Sequence, residues 1–87
     1  MPSADLGRTA VPRFFFDIHD GDVLRDDVGH DFPDLKAVRA ETQRALSGLV
    51  ATKPLDASAI QVRVDVRDES GKRVVTASLL AVIEDAP

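Results

Sequence analysis

The residues IQVRVDVR at positions 60–67 decide the fold of this chain, because apolar and polar side chains alternate there without a break. A strand turns successive side chains to opposite faces of a sheet, so this pattern predicts a β-strand with one buried face. The turn residues DESG follow at 68–71, and they end in a glycine suited to a left-handed backbone. We predict a hairpin whose second strand runs from Lys72 to about Leu80. The core-facing residues of the two strands are Ile60, Val62, Val64, Val66, Val75, Ala77 and Leu79.

A second hairpin is predicted near the N-terminus, where the run FFFDIH at positions 14–19 is rich in strand-forming residues. Asp20-Gly21 follows and favours a type I′ turn, in which both central residues have positive φ. Residues 22–25 then return as a short strand. The core-facing residues of the first strand are Phe14, Phe16 and Ile18.

The segment between the hairpins predicts a helix that begins at Leu35. Asp34 suits the N-cap position, because its carboxylate can accept hydrogen bonds from the free N–H groups of the first turn. Pro54 requires the helix to end before it, near residues 51–53. The apolar positions form one stripe about 140° wide. They are Leu35, Val38, Thr42, Ala45, Leu46, Leu49 and Val50.

Together these elements predict an α+β fold of the ββαββ type, in which one amphipathic helix packs on one face of an antiparallel sheet built from two hairpins. The pattern leaves the strand order open. We expect residues 1–11 to form a flexible arm, residues 12–83 to form the single domain, and residues 84–87 to form a C-terminal tail.

The composition of the 87-residue chain excludes several classes of function. Cysteine is absent, which rules out disulfides, thiolate metal sites and cysteine nucleophiles. The net charge of −4 disfavours binding to nucleic acid or to anionic membranes. No apolar run approaches the ~20 residues of a membrane span, and the first ten residues lack the apolar core of a signal peptide. We therefore expect a cytoplasmic protein with no membrane partner.

The charge is also unevenly distributed. The segment from Asp17 to Asp34 contains seven Asp residues and one basic residue, Arg25, so its net charge is −6. The segment from Leu35 to Arg73 contains eight Lys or Arg residues and five acidic residues, so its net charge is +3. This polarity suggests a partner without identifying it.

Several motifs together resemble a family of small, uncharacterised alphaproteobacterial proteins that open with M-P-R-[YF]-F-F. The motifs in this chain are Pro12-Arg13-Phe-Phe-Phe-Asp17-Ile, Asp20-Gly21-Asp22, Asp26-Asp27-Val-Gly29, Phe-Pro-Asp34-Leu and the hairpin from Val64 to Val75. The resemblance covers about residues 12–80. The family is classed as a domain of unknown function, so the resemblance implies domain boundaries and a bacterial cytoplasm, and no activity.

Members of that family begin at M-P-R, where this chain reads Val11-Pro12-Arg13. Our hypothesis is that Val11 marks a GTG start codon and that residues 1–10 do not belong to the native protein. The intact mass of natively expressed protein tests it, because a mass that includes residues 1–10 contradicts it.

Candidate metal ligands occur in the segment between the first strand and the helix. Imidazole and carboxylate groups bind Mn, Zn or Ca, but the spacing matches neither an EF-hand nor a helical H-x-x-x-H pair. Tight turns also use Asp for their own backbone hydrogen bonds. We therefore favour solvated turn residues and expect no cofactor. The candidates are His19, Asp20, Asp22 and His30.

Catalysis has weaker support than a binding role. The sequence contains neither a nucleophile-elbow serine nor a glycine-rich phosphate loop. A small fold also leaves little room for an enclosed pocket of ~300 Å³ or more. The enzymatic alternative is a small metal-dependent enzyme built on the His- and Asp-rich segment, with His19 paired to Asp17 or Asp22 as general base.

The leading interpretation is a non-enzymatic interaction or regulatory module, with a protein partner or a second copy bound to the outer sheet face or a strand edge. Phe15 falls on the face predicted to be wet, which indicates that something covers it. Arg63 and Arg67 lie on the same face as a basic stripe interrupted by Asp65. A further alternative is an antitoxin-like regulator, by distant analogy with HicB-like antitoxins.

Overall fold

A computed structural model describes residues 12–53 and 59–87, so the predicted arm and the proposed Val11 start lie outside the described residues. The described chain folds into five strands and one helix, with the order βββαββ. The elements are β1 (Arg13–His19), β2 (Val23–Leu24), β3 (His30–Asp31), α1 (Leu35–Ala51), β4 (Ala59–Arg67) and β5 (Arg73–Val82).

The strands form one antiparallel sheet with the order β2-β1-β4-β5, in which β3 also pairs with β1. The two short strands follow one another along β1: His30 in β3 lies opposite Phe14, and Leu24 in β2 lies opposite Ile18. The two predicted hairpins therefore meet through β1 and β4 at the centre of the sheet. This order was left open by the sequence.

The core lies between α1 and the face of the sheet that β4 dominates. Val62, Val64 and Val66 are completely buried, as the alternation in the sequence predicts. The helix contributes Val38 and Leu46, and burial of each such side chain stabilises the fold by about 1.5–3 kcal/mol. Partly buried residues complete the cluster. They are Phe16, Ile18, Phe32, Leu49, Val50, Val74, Val75 and Ala77.

The ends of the helix agree with the sequence. The Asp34 side chain accepts a hydrogen bond from the Ala37 N–H at 2.9 Å, which confirms the N-cap. The helix ends at Ala51, within the predicted range. Leu35 was expected in the core and is 47% exposed, because the buried stripe of α1 begins only at Val38.

The α+β class is confirmed, with one helix and one antiparallel sheet, but the ββαββ prediction differs from the structure in its strand count and in its first turn. It missed β3, because two residues are too few to show a sequence period. The first hairpin closes through three residues, 20–22, since His19 pairs with Val23, so the predicted two-residue type I′ turn is absent. Gly21 has φ +102° within that loop.

The second hairpin has the predicted turn and a longer second strand. Gly71 adopts φ +87°, as the turn requires. The strand β5 extends to Val82, beyond the predicted end near Leu80. Leu79 was expected in the core and is 36% exposed, because β5 lies at the edge of the sheet.

Candidate functional site

The outer face of β1 and β4 carries six side chains in two columns. Phe15 lies opposite Arg67, Asp17 opposite Asp65, and His19 opposite Arg63. Two aspartates opposite each other would repel, and each instead contacts a diagonal neighbour: Asp17 contacts Arg67, and Asp65 contacts His19. The result is two separate clusters, which we call the Asp17 cluster (Phe15, Asp17, Asp26 and Arg67) and the Asp65 cluster (His19, Arg63, Asp65 and Thr76).

The Asp17 cluster centres on a bidentate ion pair. The Arg67 Nε donates to Asp17 Oδ2 at 2.7 Å, and its Nη2 donates to Asp17 Oδ1 at 3.0 Å. The same Nη2 donates to the Asp26 carbonyl at 2.8 Å. The guanidinium carbon lies 5.1 Å from the centre of the Phe15 ring, a cation–π distance. Only 11% of the Asp17 side chain and 15% of the Arg67 side chain are exposed, so the pair is shielded from water.

Asp26 fixes the loop of residues 25–29 against this face. Its Oδ2 accepts the Phe16 N–H at 3.0 Å, and its Oδ1 accepts the N–H groups of Val28 and Gly29, each at 3.0 Å. Its own N–H donates to Asp17 Oδ1 at 3.0 Å. The carboxylate therefore occupies the gap between β2 and β3 and satisfies a β1 donor that no strand reaches.

Gly29 allows the loop to lie directly on Phe15. Its φ is +75°, and a Cβ built there would lie 2.8 Å from Phe15 Cε2 and 2.8 Å from Arg13 Cγ. Any larger residue would push the loop away. Phe15 therefore has Gly29 and Arg67 of the same chain next to its ring, and it is partly buried without a second copy.

The Asp65 cluster satisfies the other buried carboxylate. Thr76 donates its hydroxyl to Asp65 Oδ1 at 2.8 Å, and His19 Nε2 lies 3.1 Å from Asp65 Oδ2. Arg63 Nη2 lies 3.4 Å from the same Oδ2 and 3.3 Å from His19 Nδ1. Asp17 and Asp65 are each only 8% exposed, although both were predicted to face water. These side chains therefore form a polar layer that seals the outer face.

The candidate metal ligands are not brought together. His19 and His30 lie at opposite ends of β1, about 17 Å apart along the strand, since His30 pairs with Phe14. Asp20 instead pairs with Lys53, with 3.0 Å between Oδ2 and Nζ, and Asp22 is exposed. Within residues 12–53 and 59–87, no three His, Cys, Asp or Glu side chains group to hold a metal. The candidate ligands of this segment therefore do not converge among the described residues.

The general-base hypothesis concerned His19 and its partner carboxylate, and the structure gives His19 a different partner. The Asp17 carboxylate is fully engaged by Arg67 and by the Asp26 N–H. His19 contacts Asp65, which the hypothesis did not include, and not Asp22.

A groove occupies the helix side of the sheet, where the sequence suggested there was little room. Its volume is about 750 Å³, and it lies between α1, β1 and the chain from Leu24 to Phe32. Leu24 and Val28 on its rim are 67% and 70% exposed. Its apolar floor is formed by Phe16, Ile18, Phe32, Ala45 and Val64.

The strand β5 presents a second unusual surface. It pairs with β4 from Arg73 to Val82, and no strand of the described chain pairs with its other edge. The sequence from Val74 to Ile83 contains no charged residue, proline or glycine. Four apolar side chains at its end are exposed: Leu79 by 36%, Leu80 by 62%, Val82 by 50% and Ile83 by 57%.

Sequence reasoning missed three of these features, and two of them left a signal. The run from Val74 to Ile83 has no charged residue, and this absence is a sequence signal for an edge strand that lacks the usual protecting charges. Asp26, followed by Gly29 three positions later, is a pattern typical of an aspartate that holds its own turn. The burial of Asp17 left no local signal, because it depends on Arg67, fifty positions away.

Acidification is expected to destabilise the protein through the Asp17 cluster. The hydrogen bond from Arg67 holds the pKa of Asp17 below its ordinary value of 3.8. Burial alone would raise the pKa of Asp26, but the N–H groups of Gly29, Phe16 and Val28 lower it overall. Because both pKa values are depressed in the folded state, their stabilisation is complete above the unfolded pKa and is lost as the pH falls through the folded values.

Thermal unfolding between about pH 5 and pH 2 measures this loss, and Asp17→Asn should show a flatter dependence on pH than the wild type. Equal pH dependence of the two proteins would contradict the role of the Asp17 cluster.

A family model described as a domain of unknown function, DUF6894, matches residues 13–81. No curated protein and no solved structure matches the chain. In the described residues, no helix is both long enough and apolar enough to cross a membrane.

Proposed function

Because the chain belongs to the DUF6894 family, whose description gives no activity, we propose from its own surfaces that it is a non-enzymatic protein-interaction module that pairs with a second copy through β5. The observation that carries this proposal is the contrast between the two edges of the sheet. The expected bacterial, cytoplasmic setting is part of the same proposal.

One edge of the sheet is closed by the chain itself. The strands β2 and β3 pair with the two ends of β1, and Asp26 takes the Phe16 N–H between them. Among the described residues no strand pairs with the free edge of β5, and its sequence from Val74 to Ile83 carries no charge, proline or glycine. Folded monomers usually blunt an exposed edge with charge, proline or a covering loop, because an open edge recruits other strands. The unprotected edge therefore supports pairing.

A second copy fits this edge because antiparallel pairing about a two-fold axis matches a strand with itself. We place the axis at Ala81, so that each Ala81 faces Ala81 of the second copy. Leu80 then lies opposite Val82 of the second copy on the outer face, and Leu79 lies opposite Ile83 of the second copy on the helix face. In this register each of the four exposed apolar side chains gains an apolar cross-strand neighbour from the second copy. Two five-stranded sheets would join into one.

Light scattering on the eluting protein at about 0.1 mM tests the proposal. We expect a dimer for the wild type and a monomer for Leu80→Lys, because a charged lysine on the edge opposes strand pairing and replaces the apolar contact with Val82 of the second copy. Val23→Lys is the matched control, since Val23 is 65% exposed and lies on the other edge. It should remain a dimer. A monomeric wild type, or a dimeric Leu80→Lys, contradicts the proposal.

Single cysteines test the register, because the natural chain has none. Directly opposed residues in an antiparallel pair have Cα atoms ~4.5–5.5 Å apart, within the range a disulfide spans. Ala81→Cys should therefore form a covalent dimer on mild oxidation. The control Ala77→Cys places the two thiols about 27 Å apart in this register and should not crosslink. The opposite pattern contradicts an axis at Ala81.

The other candidate functions gain no support. The metal-dependent enzyme lacks a converging set of ligands among the described residues. The antitoxin analogy is weakened because α1 begins at Leu35, directly after its Asp34 cap, where those proteins usually have a further strand.

A further inference from the structure

The groove beside α1 lies across the sheet from β5 and plays no part in self-pairing. We propose that it binds a short peptide segment of a protein partner, with apolar side chains flanked by Lys or Arg. This inference stands on its own observations and does not depend on dimer formation.

The first observation is the shape and chemistry of the groove. Its volume of about 750 Å³ lies within the range of ~300–1,000 Å³ typical of ligand sites. Phe16, Ile18 and Phe32 on its floor are only partly buried, and Leu24 and Val28 on its rim are mostly exposed. Apolar side chains of a ligand would cover these surfaces.

The second observation is the charge around the groove. Four acids line it, against Arg25 and His30. Two of the acids are accessible: the Asp27 side chain is 84% exposed and the Asp31 side chain is 52% exposed. The lining carries an excess of acids, and Arg13 and Arg44 beside it pair with Asp31 and Glu41. The remaining negative charge favours a cationic ligand over an anionic one. The four acids are Asp26, Asp27, Asp31 and Glu41.

These accessible acids can change partners at little cost. Asp27 lies 3.7 Å from Arg25, and Asp31 lies 3.2 Å from Arg13. Arg25 is largely exposed and Arg13 is half exposed, and exposed ion pairs contribute little to stability. Arg13 also donates to the Val28 carbonyl at 3.0 Å, so Asp27 is the acid at which a Lys or Arg of a bound peptide most readily replaces the arginine.

The third observation is that the wall of the groove is held in place. Asp26 fixes the loop of residues 25–29 through three backbone N–H groups, and Arg67 holds the Asp26 carbonyl. A wall fixed before binding loses little conformational freedom when a ligand binds. The Asp17 cluster on the outer face thus acts as a positioning device for the groove on the inner face.

Fluorescence anisotropy with labelled Arg-Leu-Leu-Ala-Leu-Leu-Arg as the probe tests the inference, and Glu-Leu-Leu-Ala-Leu-Leu-Glu is its matched control. We expect a Kd on the order of 10–100 μM for the basic peptide and at least tenfold weaker binding for the acidic one. Amide NMR shifts should locate the basic peptide at Leu24, Val28 and Phe32. Equal affinity for the two peptides, or shifts confined to other surfaces, would overturn the proposal.

Two variants distinguish binding in the groove from nonspecific binding to exposed apolar residues. Leu24→Ser should weaken binding of the basic peptide about fivefold or more, because it removes an apolar rim residue that is mostly exposed in the fold. Leu80→Ser, at 62% exposure on the β5 edge, is the matched control and should bind like the wild type. Equal losses in the two variants contradict the groove.

The two proposals also fail separately. A monomeric Leu80→Lys that still binds the basic peptide supports the groove without any need for dimerisation. A dimeric wild type that binds neither peptide overturns the groove and leaves self-pairing intact.

Discussion

Asp17→Ala is expected to lower the free energy of unfolding by about 2–4 kcal/mol, because it leaves the shielded Arg67 guanidinium without its anionic partner. The carboxylate accepts two hydrogen bonds from Arg67 and one from the Asp26 N–H. Removal of one member of a shielded ion pair costs more than the pair contributes, since the remaining group keeps its desolvation penalty. For a domain of this size the melting temperature should fall by roughly 10–20 °C.

Urea unfolding of Asp17→Ala and of Asp31→Ala gives the comparison. Asp31 also pairs with an arginine, but its side chain is 52% exposed and that of Arg13 is 46% exposed. We expect Asp31→Ala to change stability by less than about 1 kcal/mol. Equal losses for the two variants would show that the shielding of the Asp17 cluster has no energetic effect.

The second large effect is expected at Asp26. Replacement by alanine removes the acceptor of three backbone N–H groups at once. The Phe16 N–H is partly buried between β2 and β3, so it loses its partner without full access to water. We expect Asp26→Ala to lower the free energy of unfolding by about 2–3 kcal/mol and to loosen the loop of residues 25–29.

Amide hydrogen exchange shows where that effect falls. The Phe16 and Gly29 amides should exchange faster in Asp26→Ala, while the Val64 amide should change only with global stability. Asp27→Ala is the matched control, because the neighbouring side chain is 84% exposed, and it should alter stability by less than about 0.5 kcal/mol. Unchanged protection at Phe16 would mean that Asp26 is not its essential acceptor.

The variants Asp17→Ala and Asp26→Ala also connect stability to the proposed groove. Both loosen the loop that carries Val28 and forms one wall of the groove. Asp26 also lines the groove and contributes negative charge to it, whereas Asp17 does not line it. Weaker binding of the basic peptide to well-folded Asp17→Ala would therefore indicate loss of positioning. Leu24→Ser, by contrast, removes a direct contact.

The side-chain contacts change the interpretation of the outer sheet face. The sequence suggested Phe15, Arg63 and Arg67 as an interface, since a phenylalanine on a wet face calls for a cover. Arg67 and Gly29 provide that cover, and Arg63 lies against His19 and Asp65. An intermolecular role for these three residues remains a proposal, and the β5 edge now has the stronger case.

Local sequence determined the elements of this protein. Alternation of apolar residues from Ile60 to Arg67 was enough to predict β4 and its buried valines, because the period of a strand is two. Asp34 and the helical spacing after it located the start of α1, because capping and periodicity act over a few residues. Gly71 marked the second turn for the same reason.

Tertiary structure alone decided how those elements meet and which polar groups are buried. The pairing of β1 with β4 joins segments about fifty positions apart, and no local period encodes it. That pairing brings Arg67 next to Asp17 and buries two aspartates that were predicted to face solvent. In the gap between β2 and β3, the Asp26 carboxylate accepts the Phe16 N–H. It also leaves β5 as the open edge. A short-range pattern records which face of an element is apolar, whereas the neighbour of each face depends on the packing of the whole chain.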